Sequence, residues 1–211
     1  MQKTLKILWS GLLNAYDGAF TIILSNLIFS FLLVPIVTIP LAIAGLFYTN
    51  FQLAAGESVD WKTYFEGIKR HWWAGIRWTA INVVVLFSLT FYITMFIDQP
   101  QLWAAALTGL CLGLMAIWIL IQCFSFPMML KQEKPAYLTA LRNSLIFIVR
   151  WPGFSFAFLL PILVLAVITL FFPPIFIFLS AGLIAFLASY AVNYKLEEIA
   201  HPELLKDPRH E

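Results

Sequence analysis

The amino-acid sequence predicts an all-α fold, a polytopic transmembrane helical bundle of about six helices in three hairpins, with short cytoplasmic amphipathic interfacial helices. Three observations predict this class. Hydrophobic residues make up 62% of the 211 residues, charged residues make up only 11%, and long apolar runs alternate with short basic segments. A soluble domain carries roughly 25% charged residues, so a chain this apolar requires lipid as its solvent.

Four apolar runs are each long enough to cross a bilayer. They cover residues 74–97, 102–126, 154–172 and 174–194. A transmembrane helix needs about 20 apolar residues to cross the hydrocarbon. The earliest apolar stretch, residues 19–48, is too long for one span and short for two, and Pro35 and Pro40 interrupt it.

This first stretch is best divided into a hairpin, with helices near residues 8–34 and 38–56. Thr38 then caps the second helix, and Pro40 lies in its first turn, where proline is tolerated. The other two hairpins turn around residues 98–101 and 172–174.

The positions of the basic residues favour this division. With six spans all thirteen lysines and arginines fall on one side, and the three opposite turns contain none. Because basic residues favour cytoplasmic loops, both termini are predicted to be cytoplasmic, in a multi-pass protein of the cell membrane. The alternative of five spans would place Lys3 and Lys6 outside.

Residues 60–73 and 135–150 each have the pattern of an amphipathic helix lying in the cytoplasmic interface. In the first, apolar residues recur every three or four positions between Trp61 and Trp72, and Asp60 is suited to cap the helix. The simplest role of these segments is anchoring; the alternative is a docking surface for a partner. Candidate contacts to anionic lipid headgroups, or to another membrane or cytoplasmic protein, are Lys69, Arg70, Arg77, Arg142 and Arg150.

Two of these basic residues, Arg77 and Arg150, are each followed directly by tryptophan. We expect both at equal depth on the cytoplasmic side. Either each anchors the chain to lipid phosphates, or the two share an anionic site.

An internal repeat is suggested when the chain is shifted by 73 residues. Tyr64 then aligns with Tyr137, the pair 77–78 with the pair 150–151, and Pro100 with Pro173. The predicted copies are residues 60–122 and 133–195, inside a single membrane domain of residues 1–196. A short polar cytoplasmic tail, residues 197–211, follows. Apolar residues also align by chance in any membrane protein, so the duplication is a hypothesis.

The sequence contains no motif that predicts catalysis, a metal site, a cofactor or nucleic-acid binding. His71, His201 and His210 lie at the interface or in the tail, and no acidic residue lies in the middle of a span, where proton relays place them. The chain is therefore predicted not to be an enzyme. The in-span polar residues are expected to bond helix to helix rather than to contact a substrate: Asn26, Ser30, Asn82, Thr90, Thr94, Gln122 and Asn193. The small-residue stripe of Ala105, Gly109 and Gly113 is expected to pack inside the bundle.

Two stretches resemble a known family. They are LVPIVTIPLAIAGLFYTN at 33–50 and WKTYFEGIKRHWWAG at 61–75, and they resemble the YesL-like family of bacterial membrane proteins of unknown function. The resemblance covers about a third of the chain and departs from the family at Pro40, Ala42 and His71. It implies an accessory role beside carbohydrate uptake and breakdown systems, and no catalytic or binding residue carries over. The matching residues are Pro35, Thr38, Ala44, Tyr48, Tyr64, Phe65 and Lys69.

Three functions are therefore open. The first is a non-enzymatic accessory or regulatory membrane protein beside a solute uptake system, with carbohydrate as the implied solute. The second is a small transporter or channel with its path between helices. The third is a structural membrane protein that organises lipid or partners. A wet cavity lined by Asn82, Thr90 or Gln122 would favour the second function.

Overall fold

The computed structural model describes residues 2–200, which form an all-α bundle without strands, so the predicted fold class is confirmed. Five helices are long and apolar enough to cross a membrane, and the number is six if a bent pair at the N-terminal end forms one span. The helices are α1 (Gln2–Asp17), α2 (Ala19–Leu32), α3 (Ile39–Ala54), α4 (Trp61–Phe96), α5 (Leu102–Leu130), α6 (Tyr137–Arg150), α7 (Pro152–Phe171) and α8 (Ala181–Ala200). A 3-10 turn, Ile36–Thr38, precedes α3, and a π-helical turn, Phe176–Ser180, precedes α8.

The predicted first helix, residues 8–34, is broken at Gly18, so that prediction was wrong. α1 and α2 meet there at an angle of 73°. A Cβ atom on Gly18 would lie 2.9 Å from Leu53 Cδ2, so the Leu53 side chain of α3 packs closely against the bend. α1 buries Ile7 and Ala15 against the bundle and leaves Trp9 exposed, and it is therefore an amphipathic helix folded back on the core.

The two ends of the described chain lie on one side of the bundle. Lys3 Nζ is 3.0 Å from Glu198 Oε1 near the end of α8. Both ends reach the same side only after an even number of crossings, which favours six, with the bent pair of α1 and α2 as the first. We call this side, which also carries the links 55–60 and 131–136, the basic face.

The turns on the opposite side match the predicted hairpins. Residues 33–38, 97–101 and 172–175 form these turns. The helices they join are in contact: the rings of Phe96 and Trp103 have centroids 5.7 Å apart, and the hydroxyls of Thr169 and Ser180 are 2.6 Å apart.

Thr38 differs from its predicted role. It precedes α3, and Pro40 lies in the first turn as predicted, but the Thr38 side chain makes no capping hydrogen bond. Its hydroxyl instead donates to the carbonyl of Leu32, and to that of Pro35 at 2.6 Å. Thr38 therefore closes the turn by satisfying a carbonyl at the end of α2.

The first predicted interfacial segment, residues 60–73, is not a separate helix. It forms the start of α4, which runs unbroken for 36 residues, or about 54 Å at 1.5 Å per residue. Asp60 caps it as predicted: Asp60 Oδ1 accepts from the Thr63 backbone N–H at 3.0 Å, and this bond lowers the pKa of the Asp60 carboxyl.

The second predicted segment is a helix of its own, α6. It ends because Pro152 lacks a backbone N–H and disfavours the helical conformation at the preceding residue. Trp151 accordingly has φ −129° and ψ 62°, and α7 begins immediately after it.

The burial pattern of these two segments agrees with the proposed repeat. In each, four buried positions occur with the same spacing, and the two sets are 73 residues apart. The first set is Tyr64, Gly67, His71 and Ala74, and the second is Tyr137, Ala140, Ser144 and Phe147. This supports the repeat, which stays a prediction. Most of the predicted tail, residues 201–211, lies outside the described residues.

Candidate functional site

Polar side chains inside the bundle join α4, α5 and α6. Trp118 Nε1 donates to Asn82 Oδ1 at 2.9 Å, and Asn82 Nδ2 donates to Gln122 Oε1 at 3.3 Å. Gln122 Nε2 donates to the hydroxyl of Tyr137 at 2.8 Å. Asn82 and Gln122 therefore form hydrogen bonds between helices, as predicted. Thr90 and Thr94, by contrast, lie on the exposed surface of α4.

Asn26 is the predicted polar residue whose side chain bonds only to backbone groups of the π-helical turn and the start of α8. Its side chain is fully buried, and its Nδ2 donates to the carbonyls of Phe176 and Ile177 at 2.7 and 2.6 Å. Its Oδ1 accepts from the backbone N–H of Gly182 at 2.6 Å. A π-helical turn interrupts the regular backbone hydrogen bonds, and Asn26 satisfies the groups that this turn frees.

The small-residue stripe on α5 does not pack inside the bundle, contrary to expectation. A Cβ atom on Gly109 or Gly113 would meet nothing within 4 Å. Between Asn82 and Gln122, Ala104 is the only buried residue. The outer hairpin, residues 83–121, is thus exposed on almost all of its surface.

The five predicted basic contact residues are all exposed. Arg77 Cζ lies 5.0 Å from the ring centroid of Trp73, and Arg150 Cζ lies 5.1 Å from that of Trp151. Stacking of a cation on an interfacial tryptophan is typical of anchoring. Among residues 2–200, the ion pairs join Glu198 to Lys3 and Lys195, and none involves these five. Their contacts with lipid or partners stay predictions.

Arg70 alone of the five lines a polar pocket. The pocket has a volume of about 270 Å³ and lies on the basic face. It is assembled from the end of α3, the first part of α4 and the link between α5 and α6. Its lining residues are Tyr48, Phe51, Gln52, Arg70, His71, Leu130, Gln132, Glu133 and Pro135.

Two buried nitrogen atoms of side chains that line this pocket have no hydrogen-bond partner in the described part of the chain. His71 is only 7% exposed, its ring packs on Tyr48 with centroids 5.2 Å apart, and its Nδ1 is unpaired. Gln132 Oε1 accepts from the Ala136 backbone N–H at 2.9 Å, which fixes the amide and leaves Nε2 as an unpaired donor. Unpaired buried polar groups are rare in folded proteins and each requires an explanation.

The pocket residues were only partly identified from sequence. Arg70 was a candidate, and His71 was noticed but given no role. Gln52, near the end of α3, and Gln132 and Glu133, in the link between α5 and α6, carried no sequence signal, because their neighbours depend on the fold. Within residues 2–200, no cluster of three His, Cys, Asp or Glu side chains is placed to hold a metal ion.

Comparison with known proteins adds no relative: no family model, curated protein or solved structure matches the chain. The resemblance to the YesL-like family therefore has no support beyond the residues quoted above.

Proposed function

We propose that this chain is a non-enzymatic accessory or regulatory membrane protein that binds another membrane protein, within or beside a solute uptake system. The observation that carries the proposal is the exposure of the outer hairpin. In the most apolar windows of α4 and α5 only 6% of the residues are buried inside the protein, against 56% in the C-terminal span.

The glycines of the outer hairpin are consistent with a helix partner. Gly109 and Gly113 lie one turn apart on α5 with open space beside them. Glycine costs a helix about 1 kcal/mol relative to alanine. Small residues at this spacing let two transmembrane helices approach closely, and such packing drives association in lipid.

The transporter or channel alternative has less support. A path between helices requires polar groups that are free to contact a solute, and Asn82 and Gln122 bond to protein groups instead. Thr90 lies on the surface of the outer hairpin. The carbohydrate solute rests on the family resemblance alone.

Site-specific photo-crosslinking in cells tests the proposal. A photoreactive residue at Leu110, 58% exposed on α5, should crosslink to one membrane protein, which mass spectrometry should identify as a subunit of an uptake system. The matched control is Leu163, 47% exposed on α7, which should crosslink only to lipid.

Two results would contradict the proposal. Lipid adducts alone at both positions would favour the structural alternative. Flux of labelled sugars into liposomes that contain only this chain would favour the transporter.

A further inference from the structure

We propose that the polar pocket on the basic face binds a phosphoethanolamine group, with its phosphate on Arg70 and its ammonium on Glu133. The group could come from a membrane phospholipid or from a soluble phosphoethanolamine ester. This binding site goes beyond the partner-binding role proposed above and does not depend on it.

The half of the site that would bind the phosphate consists of groups without hydrogen-bond partners in the described part of the chain. Arg70 contributes a guanidinium, whose donors suit a phosphate oxygen pair. Gln132 Nε2 is a buried N–H donor held in place by the bond from Ala136 to its oxygen. His71 is almost fully buried and lines the same cavity with Nδ1 unpaired. A bound phosphate would supply acceptors to Arg70 and Gln132, and to His71 in the tautomer that carries its proton on Nδ1.

The half of the site that would bind the ammonium is the carboxylate of Glu133. Glu133 lines the same pocket as Arg70, yet within residues 2–200 neither residue forms an ion pair, with the other or with a third group. Two opposite charges that face one cavity without touching suit a ligand that carries both charges. A simple anion would instead be repelled by Glu133.

The position of the pocket suits a headgroup. Trp72 and Trp73 follow His71 directly and are both 49% exposed. Exposed tryptophans are enriched at the level of the lipid headgroups. The pocket mouth therefore lies at a depth where a phospholipid headgroup can enter from the bilayer and a soluble ester can enter from the aqueous side.

Native mass spectrometry of the full chain in detergent micelles tests this inference. The protein is titrated with phosphatidylethanolamine, phosphatidylglycerol and phosphatidylcholine with identical acyl chains. We expect phosphatidylethanolamine to bind about tenfold more tightly than phosphatidylglycerol, the difference that one charged hydrogen bond supplies. Phosphatidylcholine, whose ammonium has no N–H, should also bind more weakly.

Substitutions assign the two halves of the site. Arg70→Gln and Glu133→Gln should each weaken phosphatidylethanolamine binding about tenfold. The controls Arg142→Gln and Glu66→Gln remove exposed charges that do not line the pocket and should leave binding unchanged. His71→Phe keeps an aromatic ring against Tyr48, so it should weaken binding without lowering the melting temperature. If the role of His71 were purely structural, the substitution would not weaken binding in this way.

Soluble glycerophosphoethanolamine identifies the source of the ligand. If it displaces the lipid and binds alone with the same dependence on Arg70 and Glu133, the site takes the free ester. If only the lipid binds, the ligand is the membrane phospholipid. Two results would overturn the proposal. One is equal binding of phosphatidylethanolamine and phosphatidylglycerol. The other is weaker binding in Arg70→Gln together with unchanged binding in Glu133→Gln.

Discussion

Asn26 connects two parts of the chain that are about 150 residues apart in sequence. It is buried in α2, and its amide bonds to two carbonyls of the π-helical turn and to the N–H of Gly182 at the start of α8. Asn26 thus bonds three backbone groups where the π-helical turn meets α8, and the Ile177 carbonyl also accepts from the Ser30 hydroxyl at 3.1 Å.

We therefore predict that Asn26→Leu destabilises the protein by about 2–5 kcal/mol, because it removes three hydrogen bonds to backbone groups. The free energy of unfolding in mixed micelles measures this loss. The control is Asn143→Leu, which alters an exposed asparagine on α6 and should change stability by less than about 0.5 kcal/mol. Equal effects at both positions would show that the bonds of Asn26 contribute nothing specific.

The sequence predicted which kind of role such residues have, but not their partners. An asparagine or glutamine in an apolar run is expected to bond a neighbouring helix, and Asn82 and Gln122 do so. The partners of Asn26 could not be predicted, because a π-helical turn has no clear sequence signature. His71 and Gln132 were likewise beyond prediction, since their lack of a partner depends on which elements surround them.

At the scale of elements, glycine determines how closely α3 and α4 approach. A Cβ atom on Gly75 would lie 2.2 Å from the backbone oxygen of Pro40, and one on Gly45 would lie 2.5 Å from the ring of Tyr64. The ring of Tyr64 is fixed in turn, because its hydroxyl donates to the carbonyl of Ala42 at 2.8 Å. The contact at Gly75 is with backbone, which cannot rotate away.

We predict that Gly75→Ala and Gly113→Ala change stability in opposite directions. Gly75→Ala forces the two helices apart and should cost about 1–3 kcal/mol. Gly113→Ala enters open space and should stabilise α5 by up to about 1 kcal/mol through helix propensity. Unfolding of both variants in the same micelles provides the comparison, and a loss of stability in Gly113→Ala would mean that a neighbour packs there.

Local sequence rules predicted some helix ends and missed others. The cap at Asp60 and the turn prolines were recognised from residue type alone. The bend at Gly18 was missed, because one glycine is tolerated within a helix. The two interfacial segments were treated alike, although Pro152 separates α6 from α7 whereas Thr79 occupies the matching position in α4.

At the scale of the whole molecule, hydropathy and charge gave the architecture, while the pocket required the fold. The apolar runs and the one-sided basic residues predict an even number of crossings, and the contact between Lys3 and Glu198 agrees with it. The pocket combines residues near positions 50, 70 and 132, which no periodicity relates. The cytoplasmic location of the basic face stays a prediction.

The orientation is tested by cysteine labelling in intact cells. The background is the Cys111→Ala, Cys123→Ala variant, since these two cysteines are free and half-buried. A cysteine at Val37, 86% exposed in the first outer turn, should react with an impermeant maleimide. A cysteine at Lys3 or at Ser58, both on the basic face, should react only after the cells are permeabilised.

The three positions together separate the six-span and five-span arrangements. With six spans Lys3 and Ser58 share the cytoplasmic side and Val37 is outside. One crossing by the bent α1–α2 pair and one by α3 then separate Lys3 from Ser58. With five spans the first stretch crosses once, so Lys3 and Ser58 fall on opposite sides. Labelling of Lys3 from outside, with Ser58 protected, would therefore rule out six spans. Replacing Lys3 removes only an exposed ion pair, worth about 0–1 kcal/mol, so the fold should persist and the labelling should report native orientation.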